Sequence, residues 1–506
     1  MKILLVTARN AAPEVRRIAK SLTIPAEVRV CPVDVAALIS PEEMAAALLG
    51  GSLRGVSEII VPGSIPWDVS CIAARTKIPC HKGPRNVFDL PEALSWSMSG
   101  EIELSASVPA DVILAGRSAS DVRGLLSKAY GRPERYLFRI GKRKPVYVGA
   151  GIGRVVAEID DAPGLIPAAL AERASYLAAS GASIIDLGMQ AGRDNSERIG
   201  DMVECLRSAV DVPLSIDSAD PKEILAAADA GIDLVLSVDH RNLHVLDSVS
   251  VPCVAIPRDS RGKIPASALG RVRTVERLLS KAQGNKIIAD MVLNPLNSGY
   301  AESLGAYSLF RERNPSVPMM LGAGNVTELL DADSPGANAL LAGYASELGI
   351  ELLFSVEAST KTRGAVAELA RSAEMMYLAR RKGQPPKDLG IDLLVLKDKR
   401  RRDAFDRSSC GKIPSVRGKM HSGPLEDTEF RIFLDGCICA VCFRKGKPLL
   451  RVTGCRAEEV YGEILRRGLA KDPYHAAYLG KELCKAETAL RLGKEYVQDA
   501  DLFRRP

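Results

Sequence analysis

The sequence predicts an α/β protein built around a closed (β/α)8 TIM barrel, with a doubly wound α/β domain before it and a small α+β domain after it. At 506 residues the chain is too long for one hydrophobic core. From residue 143 onward, short apolar strands alternate with helical stretches eight times in about 235 residues, the usual length of such a barrel. Two of these strands end in Asp186 and Asp217, at the end where barrels carry their chemistry. The expected boundaries are 1–142, 143–382, a linker at 383–423, and 424–506.

Composition and charge exclude several classes of protein. Hydrophobic content of 46% and charged content of 26% are ordinary for a globular chain, and a net charge of +6 does not predict a nucleic-acid binder. No run approaches the ~18 apolar residues of a membrane span, and the first seven residues predict a buried strand rather than a signal peptide. The eleven cysteines are scattered and predict reduced thiols. We expect a cytoplasmic protein without nucleic-acid or membrane partners.

The first 142 residues alternate short strands with helices, which predicts a small doubly wound sheet. The expected strands are Ile3–Val6, Val28–Val30, Ile59–Val61 and Val112–Leu114. Lys82, Gly83 and Arg85 follow a strand and are suited to an anion, but no nucleotide-type glycine fingerprint is present, so solvated loop residues are the favoured interpretation. The basic stretch 139–145 is expected to link this domain to the barrel.

Eight strands are expected in the barrel region. They are Arg154–Ile159, Ser183–Leu187, Leu214–Asp217, Leu234–Val238, Cys253–Ile256, Lys286–Asp290, Met319–Gly322 and Glu351–Ser355. The helices expected between them include Ile166–Ser180, Pro221–Ala230, Val275–Gln283 and Ala337–Leu348, with Gly364–Arg380 last. An open parallel sheet is the alternative, but eight evenly spaced units favour closure.

The last region is expected to be a separate small domain. Gly383-Gln-Pro-Pro386 breaks the helical pattern and opens the basic linker. Beyond it, strands are expected at Glu429–Leu434, Cys439–Phe443 and Pro448–Val452, and helices at Ala457–Arg467 and His475–Leu492. This order predicts an α+β fold.

Polar side chains gather at the expected carboxyl ends of the barrel strands. They are Glu158, Asp160, Asp186, Asp217, Ser237, Asp239, Asp290, Asn294, Asn325, Ser355 and Glu357. Converging carboxylates and amides suit a neutral heterocycle rich in hydrogen-bonding groups, because a carboxylate accepts two parallel hydrogen bonds from an N–C–N edge. A helix N-cap is the alternative role for Asp160 and Asp239, whereas Asp217 is favoured as functional.

Three motifs resemble a known family. They are Gly-Ala-Ser-Ile-Ile-Asp-Leu-Gly at 181–188, Pro-Leu-Ser-Ile-Asp-Ser at 213–218, and Ile-Ile-Ala-Asp-Met-Val-Leu-Asn-Pro at 287–295. Together they are similar to the second, third and sixth strands of the pterin-binding barrel found in dihydropteroate synthases and in pterin-dependent corrinoid methyltransferases. The whole chain resembles the archaeal dihydropteroate synthase-related proteins, which are associated with methanopterin-using organisms.

The resemblance implies a reduced pterin as ligand or substrate. By analogy, Asp217, Asp290 and Asn325 hold the pterin ring, while Asp186 and Ser237 shape the pocket. A synthase of this family joins an arylamine to the methylene carbon of a dihydropterin with loss of pyrophosphate, in folate or tetrahydromethanopterin biosynthesis. The resemblance also implies Mg²⁺ as a candidate cofactor, with Glu158 and Asp160 as candidate ligands. It further implies a homodimer.

The chain also departs from the synthase pattern. Asn325 lies where synthases have a basic residue after the seventh strand, and Ser355-Val-Glu357 replaces their eighth-strand Arg-x-His. Lys361 and Arg363 are candidate replacements for the lost anion site, with Glu357 a further catalytic candidate. Two alternatives therefore remain: a methyltransferase that passes a methyl group from a methylated tetrahydropterin to a corrinoid protein, and a non-catalytic pterin-binding scaffold.

Three cysteines lie close together in the C-terminal domain. Cys437, Cys439 and Cys442 could hold a metal, but no second pair accompanies them. Strand alternation would place Cys437 and Cys439 on one face and Cys442 on the other. Buried thiols are the favoured interpretation.

Overall fold

The computed structural model describes residues 2–149, 151–282, 284–396 and 428–503. These residues form two compact units. The first contains the described residues of Met1–Val356 together with Gly364–Leu393, and the second contains Glu357–Arg363 together with the described residues of Leu394–Pro506. Within the described parts of the chain, every helix is too short or too polar to cross a lipid bilayer.

The first unit begins with a four-stranded parallel sheet of order β2-β1-β3-β4. Its strands are β1 (Lys2–Thr7), β2 (Ala26–Val30), β3 (Val56–Val61) and β4 (Cys80–Lys82), and its helices are α1 (Ala12–Ser21), α2 (Pro41–Leu49), α3 (Ser70–Thr76), α4 (Leu90–Met98) and α5 (Ala110–Tyr130). Leu4 and Val6 pack on one face of the sheet, and Ile3 and Leu5 on the other. Both faces are thus covered, which confirms the doubly wound domain.

The predicted strand at Val112–Leu114 is wrong, because these residues lie in α5. Ala110 and Leu114 are four residues apart on this helix and pack into the same hydrophobic cluster. A short apolar run fits a strand and a buried helix equally well, and only the length of regular structure, here 21 residues, separates them.

The stretch 139–145, expected to be a linker, belongs instead to a β-hairpin. Strands β5 (Phe138–Ile140) and β6 (Val146–Val148) pair in antiparallel fashion. Ile140 and Val146 are buried in the same cluster as the apolar side chains inside the barrel. The hairpin therefore closes the amino-terminal end of the barrel, although its turn is basic.

The next eight strands form the predicted closed barrel, in the order β10-β11-β12-β13-β14-β7-β8-β9, with all neighbours parallel. The strands are β7 (Arg154–Ile159), β8 (Ile184–Gly188), β9 (Leu214–Asp217), β10 (Leu234–Val238), β11 (Cys253–Ala255), β12 (Ile287–Asp290), β13 (Met319–Gly322) and β14 (Leu352–Val356). Each expected strand is correct to within one residue at either end. The TIM barrel is confirmed.

Helices surround the barrel. They are α6 (Pro167–Ala179), α7 (Ile199–Ala209), α8 (Pro221–Asp229), α9 (Ala268–Lys281), α10 (Tyr300–Arg313), α11 (Gly324–Thr327), α12 (Ser334–Leu348) and α13 (Ala365–Lys382). A 3₁₀ turn at Leu243–Asp247 takes the place of a helix between β10 and β11. Helix α9 begins at Ala268, earlier than expected, because Ser267 caps it by accepting from the Gly270 N–H.

The barrel interior is apolar at its lower level. Alternate residues of each strand point inward, and those nearest the hairpin are Val156, Ile184, Leu234, Ile288 and Leu352, all fully buried. Outward-facing residues of the same strands pack against the helices. Anything bound in the upper lumen therefore rests on a dry, filled floor.

The second unit contains the antiparallel sheet β15 (Thr428–Leu434), β16 (Ile438–Arg444) and β17 (Lys447–Gly454), with helices α14 (Ala457–Arg466) and α15 (Pro473–Leu492). Its core lies between one face of the sheet and the two helices. The predicted α+β fold is confirmed. The strongly basic part of the expected linker, from Lys397 to Gly423, lies outside the described residues.

Candidate functional site

Four carboxylic side chains line the upper lumen of the barrel. Glu158, Asp186 and Asp290 each follow a lumen-facing apolar residue by two positions, so strand alternation turns them inward as well. Asp217 is paired in register with Gly188 of β8 and Leu236 of β10. The apolar floor thus ends in a layer of acids.

Asp186 is the most enclosed of these acids. It is fully buried, and its Oδ1 accepts a hydrogen bond of 2.5 Å from the Ser215 hydroxyl. Its Oδ2 is buried without a hydrogen-bond partner among the described residues. Burial, reinforced by the charges of Asp217 and Glu158, raises the pKa of Asp186 well above its ordinary value. Asp186 therefore presents an unsatisfied polar atom to the site.

Glu158 shares this environment. Burial, with the neighbouring charges of Asp217 and Asp160, raises the pKa of Glu158 to about 8. Gly188 on the adjacent strand makes room for it, because a Cβ at that position would lie 2.4 Å from Glu158 Oε1. At neutral pH Glu158 is thus mainly a neutral acid that can both donate and accept a hydrogen bond.

Asp217 lies at the end of β9 and is partly buried. Burial raises its pKa, while a hydrogen bond from the Ser237 side chain and the positive charge of Arg258 both lower it. Ser237 has a left-handed backbone, with φ of 61°, which is uncommon for a residue other than glycine. The predicted residues Asp217 and Ser237 are therefore brought together.

Asp290 is held from the side of β12. Its Oδ1 accepts from the Val292 N–H at 2.7 Å and from the Tyr307 hydroxyl on α10. Burial raises the pKa of Asp290 to about 6 despite these two hydrogen bonds. Val292 has a φ of 59°, so the backbone turns sharply just after the acid.

Arg271 of α9 holds this turn by hydrogen bonds. Its guanidinium is buried and donates to the Pro265 and Met291 carbonyls at 3.0 and 2.9 Å and to Asn294 Oδ1 at 3.0 Å. Sequence reasoning missed both Arg271 and Tyr307. They lie on helices, outside the strand-end motifs from which the site was predicted, and no local sequence pattern distinguishes them.

Sequence reasoning also missed two cations, Arg241 after β10 and Arg258 after β11, which lie beside the predicted residue Asp239. Asp239 is fully buried and accepts from Arg241 through the backbone N–H at 2.7 Å and through Nη2 at 2.8 Å. Arg258 Nη1 lies 3.7 Å from the same carboxylate, and its charge also acts on Asp217. Arg241 thus neutralises Asp239, and Arg258 places further positive charge beside the acid layer.

Asn325 lies beside the carboxyl end of β13, at the start of α11. Its side chain is exposed, and its Nδ2 donates to the Leu293 carbonyl at 3.0 Å. The amide thus ties the loop after β13 to the loop after β12. Its predicted role in holding a pterin remains a prediction.

Glu158 and Asp160 do not form a Mg²⁺ site. Asp160 is exposed in the turn after β7, and in the described parts of the chain no three Asp, Glu, His or Cys side chains are arranged to hold a metal ion. Glu158, whose pKa burial raises to about 8, would have to release its proton to bind the metal. The residues present therefore do not fit this metal.

The catalytic candidates after β14 lie outside the barrel unit. Glu357, Lys361 and Arg363 belong to the segment Glu357–Arg363, which is part of the second unit. Within that unit the Arg363 side chain lies against Gly493, at the end of α15, where a Cβ would be 3.4 Å from Arg363 Cδ. Their predicted catalytic roles remain predictions.

The three cysteines at and just before β16 divide as alternation along the chain predicts. Cys437 and Cys439 lie on one face, with their sulfurs 3.9 Å apart, whereas Cys442 is buried in the core of the second unit. Cys439 is also fully buried. No three metal-ligand side chains converge among the described residues here either.

Comparison with known proteins identifies two matching family models and one full-length relative. The model described as "Pterin binding enzyme" matches residues 165–288, and the model PterinBD-DUF4346 matches residues 429–499. An uncharacterized protein of Methanocaldococcus jannaschii is 34% identical over 531 aligned positions, which cover 99% of each chain.

Two solved structures are similar to part of this chain. A dihydropteroate synthase from Xanthomonas albilineans, in complex with 7,8-dihydropteroate, is 20% identical, and the match covers 44% of this chain and 91% of that one with a TM-score of 0.36. A Yersinia pestis DHPS with a pterine-sulfa conjugate is 16% identical, and the match covers 48% of this chain and all of that one with a TM-score of 0.39.

Proposed function

We propose, because this chain belongs to the pterin-binding, dihydropteroate synthase-related family, that its barrel lumen binds a reduced pterin and serves a transferase reaction at the pterin's methylene carbon. The observation that carries the proposal is the layer of four acids above an apolar floor. A flat, uncharged heterocycle can stack on such a floor while its edge meets the acids. The residues that would hold it come from the barrel alone.

The pterin ring carries an N–C–N edge with two parallel donors, which a single carboxylate can accept together. Asp217 is partly exposed at the lumen and is suited to this edge. Asp290 is oriented by Val292 and Tyr307 on Oδ1, which leaves its other oxygen to accept from the ring. The unpartnered Oδ2 of Asp186 supplies a third polar contact. A ring lacking these donors would leave buried acids unpaired and would be rejected.

In the proposed reaction the nitrogen lone pair of an arylamine attacks the exocyclic methylene carbon of a dihydropterin diphosphate. The carbon–oxygen bond breaks, pyrophosphate leaves with the bonding electrons, and the new secondary amine loses a proton. Developing negative charge on the leaving group needs nearby positive charge. Arg258 is a cation of the barrel that already acts on Asp217. The product would belong to folate or tetrahydromethanopterin biosynthesis.

A second candidate function is methyl transfer from a methylated tetrahydropterin to a corrinoid protein. Two features favour it: by the sequence resemblance Asn325 stands where synthases have a basic residue, and Glu158 retains a proton near neutral pH. Breaking a methyl–nitrogen bond leaves electrons on the ring nitrogen, and a nearby neutral acid can protonate it. The corrinoid would be carried by a partner protein.

Titration calorimetry with a dihydropterin tests the binding proposal. We expect the wild type to bind, and Asp217→Asn and Asp290→Asn to lose at least about tenfold in affinity, because the substitution removes the negative charge and replaces one accepting oxygen by an NH2 donor. Asp229→Asn, at an exposed position on α8, is the matched control and should bind as wild type. Unchanged binding in both lumen variants would contradict the proposal.

Two assays then separate the reactions. Pyrophosphate release from a hydroxymethyl-dihydropterin diphosphate in the presence of 4-aminobenzoate selects the first reaction. Demethylation of a methyl-tetrahydropterin by a reduced corrinoid selects the second. Tight pterin binding with neither reaction would indicate that the protein is a non-catalytic pterin-binding scaffold.

A further inference from the structure

The second unit carries a cluster of thiols on the face of its sheet that points away from the core. Residues of β16 with even numbers, among them Ala440 and Cys442, face the core, so Cys437 and Cys439 face the other way. Their sulfurs lie 3.9 Å apart. The cluster therefore does not arise from core packing, and the pterin chemistry of the barrel makes no use of it.

A third thiol faces Cys437 across the sheet. Antiparallel pairing of β16 with β17 places Ile438 opposite Gly454 and Cys439 opposite Thr453. Cys437 directly precedes Ile438 and Cys455 directly follows Gly454, so the two cysteines flank the last pair of the ladder. The charge of Cys455 is among the influences, after burial and Cys439, that raise the pKa of the Cys437 thiol, as expected for close neighbours.

The three thiols differ in access. Cys455 is exposed, Cys437 is partly buried, and Cys439 is fully buried. The Cys439 sulfur accepts a hydrogen bond of 3.0 Å from Arg451 Nη2, which also contacts Asp435 at 3.2 Å. A reagent in solution therefore reaches Cys455 first, and Cys437 is the next sulfur inward.

Backbone geometry selects the pair that can bond. Directly opposed residues of antiparallel strands have Cα atoms about 4.5–5.5 Å apart, and a disulfide spans Cα separations of about 4.4–6.8 Å. Residues two apart along an extended chain have Cα atoms about 6.6–6.8 Å apart, at the limit of that range, which disfavours a bond between Cys437, just before β16, and Cys439 within it. Cys437 and Cys455, each one residue beyond such an opposed pair on its own strand, are the two thiols placed for a cross-strand disulfide.

We propose that Cys455 and Cys437 form a reversible disulfide by exchange with a low-molecular-weight disulfide. The Cys455 thiolate attacks one sulfur of the external disulfide, which releases one small thiol and leaves a mixed disulfide on Cys455. Cys437 loses its proton and attacks the Cys455 sulfur, which forms the internal disulfide and releases the second small thiol. The protein loses two electrons and two protons, and the external disulfide gains them.

The test treats the full-length protein with oxidised glutathione, blocks the remaining thiols and maps the peptides without reduction. We expect a peptide pair joined through Cys437 and Cys455, and its loss on treatment with dithiothreitol. Cys484, exposed on α15, is the comparison within the same molecule and should carry only glutathione. Two of the eleven cysteines should thus be joined in one internal disulfide.

Two variants make the assignment specific. In Cys437→Ser, the mixed disulfide on Cys455 should persist, because the sulfur that resolves it is gone. In Cys455→Ser, changed at an exposed position, Cys437 should remain a free thiol. Glutathione retained on Cys455 in the wild type to the same extent as in Cys437→Ser, no reaction at Cys455, or a bond between Cys437 and Cys439 would each overturn the proposal.

Discussion

Replacing Glu158 by glutamine should stabilise the barrel, and the gain should grow with pH. Glutamine has nearly the same shape, so the space provided by Gly188 remains filled. The change removes an acid that is costly to ionise beside Asp186 and Asp217. Sites that bind ligands often retain such a cost, which a neutral substitution relieves.

The magnitude follows from the raised pKa. The pKa of Glu158 is about 8 in the folded chain, against an ordinary value of 4.5. Below the lower value the residue is protonated in both states, and the substitution should change little. Between the two values the folded state holds a proton that the unfolded state has released, so the free energy of unfolding falls by about 1.4 kcal/mol per pH unit. Because Asp186 and Asp217 share the effect, we expect a gain on the order of 3 kcal/mol for the glutamine variant near pH 8.

The measurement should report the barrel alone, since a chain with two compact units does not unfold in one step. Native-state hydrogen exchange of amides in β7 and β8, followed in low urea from about pH 5 to about pH 9, gives that local free energy. Glu172→Gln, at an exposed position on α6, is the matched control and should stay within about 0.5 kcal/mol of wild type.

Three outcomes would refute the reasoning. A destabilised variant would mean that the charge of Glu158 is compensated by a partner. A gain of equal size at every pH would mean that packing, rather than ionisation, is responsible. An equal gain in Glu172→Gln would mean that the effect reflects net charge and has nothing to do with the lumen.

Three further predictions concern the same site. Pterin affinity should fall up to about tenfold per pH unit below about pH 6, where Asp290 takes up a proton and loses the charge that strengthens the hydrogen bond it accepts from the ring, and calorimetry showing constant affinity there would contradict this. Gly188→Ala should cost about 1–3 kcal/mol in thermal stability by pushing against Glu158, whereas Gly200→Ala, whose Cβ meets nothing within 4 Å, should not. Arg271→Lys should lower the free energy of unfolding by about 2–4 kcal/mol and weaken pterin binding, because the loop after β12 loses the several buried N–H donors of the guanidinium. An unchanged melting temperature together with normal pterin binding would refute that role.

Much of the barrel could be predicted from the sequence because its signals are local. Each strand is a short apolar run between turn residues, and the expected ends are correct to within one residue. Prediction failed where the same local sequence pattern fits two different kinds of secondary structure. The run at Val112–Leu114 fits a strand as well as the helix it forms, and the basic turn at 139–145 gave no sign that the residues flanking it close the barrel.

The acid layer could also be predicted, but its supporting residues could not. Asp217 and Asp290 lie in recognisable strand-end motifs, and their inward direction follows from alternation alone. Tyr307 and Arg271 reach the site from helices, and nothing in their immediate sequence marks them. Likewise, Cys455 lies eighteen positions from Cys437 in the chain, and only the pairing of Ile438 with Gly454 brings the two cysteines to the same end of the ladder.

Period and spacing are properties of neighbouring residues, so the order of the elements, the direction of each strand-end acid and the family resemblance could all be inferred from the sequence. The closed barrel is what buries the acids side by side, which is why their pKa values rise, and the folded chain is what assigns Glu357, Lys361 and Arg363 to the second unit. Burial and charge act through space, and closing the barrel brings together residues as distant as Glu158 and Asp290. Their protonation is therefore a consequence of the fold and cannot be found in any one segment.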